Sequence, residues 1–345
     1  MKIKTDIYFY HEIITSYQIN FFDSLNKLAK IKVIYFSEKY KNYKIEKYKR
    51  SYLKYIHSKK DLKNIILNEK PKNIIIGGYK IKNFNVIKSN LETNISKYYF
   101  WLERLEEERK FKNFILTFLI KKRLENANGI LCIGSKACSY YRKYNRKILN
   151  LPYSIKINIT KKNYFYDKKI NILFVGQLIK RKGIDIILNV IKKYNYLLKD
   201  LFRFTIVGEG NYSRKVKRLE KIFDFIKYYK YMKNSDLKKI YKLNDVLLYP
   251  SRFDGWGVVP MEAMSFRIPL IISDKCGVAL DYIKSKKNGI LLRRVDEESL
   301  LKAILFFKNK KHTFAKIGSR NYNLIHKSDM NSVNSAKKLV SYLNL

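Results

Sequence analysis

Val246-Leu247-Leu248-Tyr249-Pro250-Ser251-Arg252-Phe253-Asp254-Gly255-Trp256-Gly257-Val258-Val259-Pro260-Met261-Glu262-Ala263-Met264 runs from an apolar strand, through a loop with two glycines, into a helix. The four large residues Val246 to Tyr249 read as a short strand buried on both faces. Pro260 suits the first turn of the following helix, where an amide proton would have no intrahelical acceptor. Gly255 and Gly257 let the main chain approach a ligand closely. The amides around Val258 and Val259 open the helix, and a helix N-terminus binds phosphate readily. Asp254 on the loop and Glu262 inside the helix are separated by seven residues. Carboxylates accept hydrogen bonds from sugar hydroxyls, so the pair can grip two sugars at once. A glycine loop closed by a capping acid has the same composition, and the stretch alone leaves both readings open.

Two further loops share this strand–glycine–helix form. Phe174-Val175-Gly176-Gln177-Leu178-Ile179-Lys180-Arg181-Lys182-Gly183 joins an apolar strand to a helix beginning near Ile184. Lys182 there is a point charge suited to a phosphate beside a helix start. Gly208-Glu209-Gly210 follows another apolar run. Each alone is a common βα turn, but all three leave the same edge of one predicted sheet.

Outward from these loops, strands are predicted near 171–176, 203–207, 225–229, 246–249, 269–273 and 289–292. Helices are predicted at 184–195, 212–222, 236–243 and 260–267, with more helix from about 297 onward. An earlier series has apolar runs at 5–10, 31–36, 73–77, 97–101 and 129–133, separated by amphipathic stretches such as 17–30 and 81–91. Such alternation builds parallel sheets covered by helices. Segment 39–63, dense in lysine and tyrosine, is predicted to be a mobile loop, and 156–169 a linker. The expectation is an α/β protein of two doubly wound, Rossmann-like parallel-sheet domains, 1–165 and 166–345, facing an interdomain cleft. The last helix has the option of packing back on the first domain. Open α/β sheets bind ligands beyond their strand C-termini.

The length of 345 residues agrees with two domains, and a hydrophobic content of 46% excludes disorder. Asp6, His11 and Glu12 interrupt the N-terminal apolar residues, so no secretory signal core forms. Apolar stretches such as 114–120 fall short of the roughly 18 residues a spanning helix needs. Three cysteines (Cys132, Cys138, Cys276) without metal-ligand spacing point to a reducing, cytoplasmic compartment. The net charge of +44 invites a nucleic-acid reading. Yet the excess is even, with 36 basic against 13 acidic residues up to 165 and 37 against 16 beyond. A nucleic-acid footprint is concentrated on one face, whereas this pattern is a general bias toward lysine, so no nucleic-acid partner is expected.

The ordered set of motifs resembles the retaining, nucleotide-sugar-dependent glycosyltransferases of the GT-B fold, in the large family called glycosyltransferase group 1 or family 4. The residues that carry the resemblance are Gly176-Gln177-Leu178, Lys182-Gly183, Val207-Gly208-Glu209-Gly210, Asp254-x7-Glu262, Pro269-Leu270-Ile271-Ile272-Ser273 and Asn288-Gly289. The match covers about 170–295, and the Asp-Gly-Trp-Gly-Val-Val form is similar to a subgroup of bacterial surface polysaccharide enzymes. The resemblance implies that Lys182 holds the donor diphosphate, that Glu262 binds the nucleotide ribose, and that Asp254 binds the donor sugar. Gly176, Gln177, Gly208, Gly210, Gly255, Trp256, Gly257, Val258 and Val259 would complete the donor site. It implies no cofactor beyond a UDP- or GDP-linked donor sugar, and a glycan or lipid-linked acceptor. No Asp-x-Asp triplet occurs, so no metal–diphosphate site is expected. Two positions depart from the family pattern. Gln177 stands where an arginine is usual, which removes a fixed charge from the diphosphate site. Asp254 replaces the usual glutamate and shortens the reach by one methylene.

On the acceptor side the resemblance is confined to short elements. Gly77-Gly78-Tyr79 and Ile130-Leu131-Cys132-Ile133-Gly134-Ser135 are similar to turns of the first domain, and His11 and Glu103 follow strands there. Glu103 can equally begin a helix, and His11 can be a satisfied loop residue. The helix predicted over 110–124 carries Phe111, Phe114, Ile115, Phe118 and Leu119 beside Lys121, Lys122 and Arg123. A core helix and an interfacial helix on anionic lipid share that stripe; the core is the primary expectation, and the second reading would place the enzyme peripherally on the inner face of the plasma membrane. The competing functions are a non-catalytic basic protein that binds nucleic acid or a membrane surface, and a GT-B epimerase or phosphorylase.

Overall fold

The computed structural model describes residues 3–12, 14–35, 49–56, 58–69, 71–78, 97–105, 110–157 and 168–345. The helix expected over 81–91 and most of the linker expected over 156–169 lie outside them. The chain divides into two units, Met1–Lys156 with Asp329–Leu345, and Ile157–Ser328. The expected single division at 165 is thus replaced by two crossings, because the C-terminal stretch belongs with the first unit.

In the first unit seven strands form one parallel sheet: β1 (Ile3–His11), β2 (Ala29–Tyr35), β3 (Leu53–Tyr55), β4 (Asn73–Gly77), β5 (Lys97–Glu103), β6 (Gly129–Ile133) and β7 (Ile148–Asn150). Their order is β3-β2-β1-β4-β5-β6-β7. The helices are α1 (Ser16–Leu25), α2 (Lys59–Glu69), α3 (Lys110–Glu125) and α4 (Ser135–Tyr141). The pleat sends Tyr8 and Tyr10 into a cluster with Ile74, Ile76, Phe100, Ile120 and Leu124. Phe9, on the opposite face, meets Phe21 and Phe22 of α1 at 6.1 and 4.8 Å between ring centroids. Segment 39–63 is not one loop: its described part holds β3 and the start of α2. Helix α3 has two faces. Ile120 and Leu124 are buried, whereas Ile115 and Phe118 are exposed, Phe118 by 73%.

In the second unit six strands make a second parallel sheet: β8 (Ile170–Val175), β9 (Phe202–Val207), β10 (Ile226–Tyr229), β11 (Val246–Tyr249), β12 (Leu270–Ser273) and β13 (Gly289–Leu292). The covering helices are α5 (Ile184–Lys193), α6 (Asn195–Leu198), α7 (Ser213–Ile222), α8 (Asn234–Leu243), α9 (Val258–Ser265), α10 (Gly277–Tyr282), α11 (Glu297–Phe306) and α12 (Phe314–Lys327). Ile184, Ile187 and Ile191 fall on one face of α5, three and four residues apart, and pack with Phe174, Phe202 and Phe204 of the sheet. Each such side chain, fully buried, stabilises the unit by about 1.5–3 kcal/mol before entropy is counted. Helix α9 begins at Val258, two residues before the expected start, so Pro260 is its third residue. That position still has no intrahelical acceptor for an amide, and proline is tolerated there.

The strand order is β10-β9-β8-β11-β12-β13. Direction of travel reverses between β8 and β11, and crevices beside such a reversal are where doubly wound sheets bind ligands. Because all strands are parallel, the loops after β8, β9 and β11 emerge at one edge. The last helix, α13 (Ser332–Tyr342), returns to the first unit, where Ser332 lies 3.0 Å from the Ser24 hydroxyl of α1.

Gly183 marks a close passage between the β8 and β11 loops. Its φ is +76°, and a Cβ there would stand 2.0 Å from the Pro250 carbonyl oxygen. Gly183→Ala is expected to destabilise the protein by at least about 1–3 kcal/mol, since left-handed strain and a backbone clash act together. Denaturant titration of the purified variant measures this, and an unchanged midpoint would contradict the packing described.

Candidate active site

Lys182 closes a single 3-10 turn, Lys180–Lys182, after β8. Its ammonium donates to Asp254 Oδ2 at 2.6 Å and to the Tyr249 hydroxyl at 3.0 Å. The Tyr249 hydroxyl in turn donates to the same Asp254 oxygen. Tyr249 is the last residue of β11 and only 2% exposed, and burial pushes its phenol well above the usual range. It is therefore a neutral donor rather than a phenolate. The Lys182 and Asp254 side chains are 13% and 16% exposed, so their attraction is little screened, and losing one would strand the other. Three groups on two loops thus form one hydrogen-bonded ring.

The loop 250–257 is held from several sides. Asp254 N donates to Lys275 O at 3.2 Å, and Gly277 N donates to Asp254 O at 3.2 Å. Gly257 caps α9 with a φ of +100°, and a Cβ there would meet Cys276 Sγ at 2.4 Å. Cys276 itself donates to the Trp256 carbonyl at 3.0 Å. Gly255 is buried beside it. These contacts hold the first amides of α9, those of Val258 and Val259, beside Asp254.

Glu262 lies within α9 and takes a different partner: it accepts from the Tyr241 hydroxyl of α8 at 2.8 Å. Burial pushes its carboxyl up to about 7, against the lowering effects of that hydrogen bond and of Lys238. Gly176 ends β8, with Gln177 exposed beyond it. Gly208 and Gly210 follow β9, and a Cβ on either would clash with the Gly176 or Leu178 carbonyl. They are close-approach points between the β8 and β9 loops.

Trp256, expected among the donor-site residues, has its side chain buried away from solvent. Its indole is 1% exposed, and the indole N–H donates to Met261 Sδ at 3.2 Å. The ring is part of the core, because the loop turns it inward over α9.

The acceptor-side candidates belong to the first unit. His11 ends β1, is 6% exposed, and lies 3.4 Å from the Gln18 amide nitrogen through Nδ1. Burial pushes it down to about 4, so it is neutral, and its Nε2 has no partner among the described residues. Gly77 sits under the ring, where a Cβ would come within 2.1 Å. Gly78 has open space at its Cβ position. Glu103 does not begin a helix. It ends β5, and its side chain hydrogen-bonds Tyr153. Sequence reasoning missed Tyr249 and Tyr241. The available signal was a tyrosine hydroxyl at the end of an otherwise aliphatic strand.

Residues 155–324 match the family model described as glycosyl transferases group 1. That segment belongs to the group 1 glycosyltransferase family. The chain is 32% identical over 180 residues to an uncharacterized 41.2 kDa protein in the cps region of Klebsiella pneumoniae, covering 51% of this chain and 48% of that one. It is 27% identical over 203 residues to an α-1,4-N-acetyl-D-galactosaminyltransferase of Campylobacter jejuni named for a GalNAc-containing, undecaprenol-diphosphate-linked substrate. That match covers 57% of this chain and 55% of the relative. The chain thus spans about half the length of these curated relatives. Among solved structures, a sucrose-phosphate synthase from Thermosynechococcus elongatus superposes with a TM-score of 0.80 at 13% identity, over 99% of this chain and 98% of that one. The fold is that of the GT-B glycosyltransferases, with two Rossmann-like parallel-sheet units.

The state of Glu262 is set by pH. A carboxyl raised from 4.5 to about 7 on folding holds its proton more tightly in the native state than in the unfolded chain. That contribution to stability is complete below the unfolded value and disappears as pH rises through about 7. The unfolding free energy of the wild type, relative to Glu262→Gln, is expected to fall as pH rises from 4.5 to 7. Urea titrations across that range measure the difference; a flat difference would mean that Glu262 titrates alike in the folded and unfolded protein.

Proposed function

We propose that this protein transfers a sugar from a UDP- or GDP-linked donor to a hydroxyl of a glycan or lipid-linked acceptor, with retention of anomeric configuration, in the synthesis of bacterial surface polysaccharide. The observation that carries the reading is the hydrogen-bonded ring of Lys182, Tyr249 and Asp254 beside the N-terminus of α9, at the reversal point of the second sheet. The family match and the two curated relatives support it.

In this reading the diphosphate lies against the α9 amides and Lys182, whose ammonium has three N–H groups and two protein acceptors among the described residues. The third N–H is directed to a phosphate oxygen. Asp254 accepts from donor sugar hydroxyls, and Glu262 from the ribose. The bond from the anomeric carbon to the phosphate oxygen breaks, and the acceptor oxygen bonds to the same face of that carbon. The acceptor proton passes to the departing phosphate. Negative charge grows on that phosphate, and preorganised donors aimed at it lower the barrier.

Lys182→Ala and Glu262→Ala are each expected to reduce transfer to background while the protein remains folded. Radiolabelled donor turnover, with circular dichroism as the folding control, tests this, and substantial transfer by both variants would overturn the assignment. UDP and GDP titrations separate the alternative: salt-sensitive RNA binding without nucleotide binding would favour a non-catalytic basic protein.

We also propose peripheral contact with an anionic membrane through α3. Exposed Ile115 and Phe118 next to exposed Lys121 and Lys122 support this reading. No helix among the described residues is long and apolar enough to cross a membrane. Phe118→Asp is expected to lower sedimentation with phosphatidylglycerol vesicles at least about fivefold, and equal sedimentation would remove the proposal.

A further inference from the structure

Arg252, Lys182 and Arg181 flank the β8 and β11 loops, and they are not equivalent. Arg252 forms a two-pronged pair with Asp185, NH1 to Oδ1 at 2.7 Å and NH2 to Oδ2 at 2.8 Å. Lys182 pairs with Asp254 at 2.6 Å. Arg181 has no carboxylate partner among the described residues. Its guanidinium donates from NH1 to the Phe253 carbonyl at 2.8 Å, which engages one of its five N–H groups.

Arg181 is also tied to the β11 loop through its main chain. Its carbonyl accepts from Arg252 N at 2.8 Å and from the Ser251 hydroxyl at 3.1 Å. Ser251 is fully buried and bonds Phe253 O as well, at 2.9 Å. A partly exposed guanidinium is thus fixed on the carbonyl of the residue that precedes Asp254. Its charge reaches the buried Tyr249 hydroxyl, lowering that phenol against the larger effect of burial. The β8 loop therefore holds, beside Lys182 and its ion pair with Asp254, a second cation, Arg181, that forms no ion pair among the described residues. A dianionic diphosphate beside a neutralised lysine lacks a countercharge, and Gln177 supplies none.

We propose that Arg181 binds the donor diphosphate and provides the fixed positive charge that Gln177 does not. The inference rests on the glycosyltransferase reading above. A planar guanidinium already held by one carbonyl offers its remaining N–H groups to two phosphate oxygens, with little further side-chain entropy to lose.

Calorimetric titration of UDP and GDP into wild type and Arg181→Gln tests it, with uridine and guanosine binding followed by saturation-transfer NMR. Charge-assisted hydrogen bonds are worth about 1.5–3 kcal/mol, so the variant is expected to bind the preferred diphosphate about 10–100-fold more weakly. Affinity for the matching nucleoside should stay within about twofold, because base and ribose contacts are untouched. Unchanged diphosphate affinity would overturn the proposal and leave the glycosyltransferase reading standing. Equal loss of diphosphate and nucleoside would also overturn it, since it would mark Arg181 as a loop-holding residue only. A wild type that binds neither UDP nor GDP would remove both.

Discussion

The contact on which the second unit's site depends is the ring of Lys182, Tyr249 and Asp254. Its members sit on the loop after β8 and on the end and following loop of β11, about 70 residues apart in sequence and brought together where the sheet order reverses between β8 and β11. A lysine and an aspartate brought together this way are costly to desolvate, and a buried phenol that bonds both offsets part of that cost. The phenol can do so because burial keeps its proton in place. Glycine closes the arrangement: at Gly183 a side chain would strike the Pro250 carbonyl, and the two loops could not meet.

Much of this was legible in the residues. Strands such as β8 and β11 are unbroken apolar runs ended by Gly176 or by Pro250, so their type and limits follow from hydropathy and turn chemistry. The pairing of Lys182 with Asp254 was not legible, because it depends on strand order rather than on local pattern. Strands β3 and β7 were missed for another reason. Each has three residues, too few to show any period, and they form by adding to the edges of a sheet already built. The burial of Trp256 was not legible either: it lies between two glycines in a loop, and only the folded turn at Gly257 sets its indole against Met261 of α9.

Charge is informative here by position and not by sum. A total of +44 says little about the site, since exposed pairs such as Lys230 with Glu209 or Lys302 with Glu298 contribute little in water. What distinguishes the loops is which cations already have an anion. Glu262 illustrates the converse: a buried carboxyl with no ion pair among the described residues, set against Tyr241, holds its proton up to about 7.

The return of α13 to the first unit carries a consequence for biosynthesis. Ser24 and Ser332 touch across 308 residues, Ile155 N donates to Met330 O at 2.8 Å, and Ile155 pairs with Asn331 in a parallel bridge. The second unit is continuous and has all its strands once residue 292 has been made. The first unit, although it starts earlier, keeps the α13-facing side of α1 uncovered until residues 332–342 leave the ribosome. Emergence order and completion order of these two units are therefore inverted: the one translated first is completed after the other, and a chain stopped before residue 332 would leave its earliest-made part unfinished.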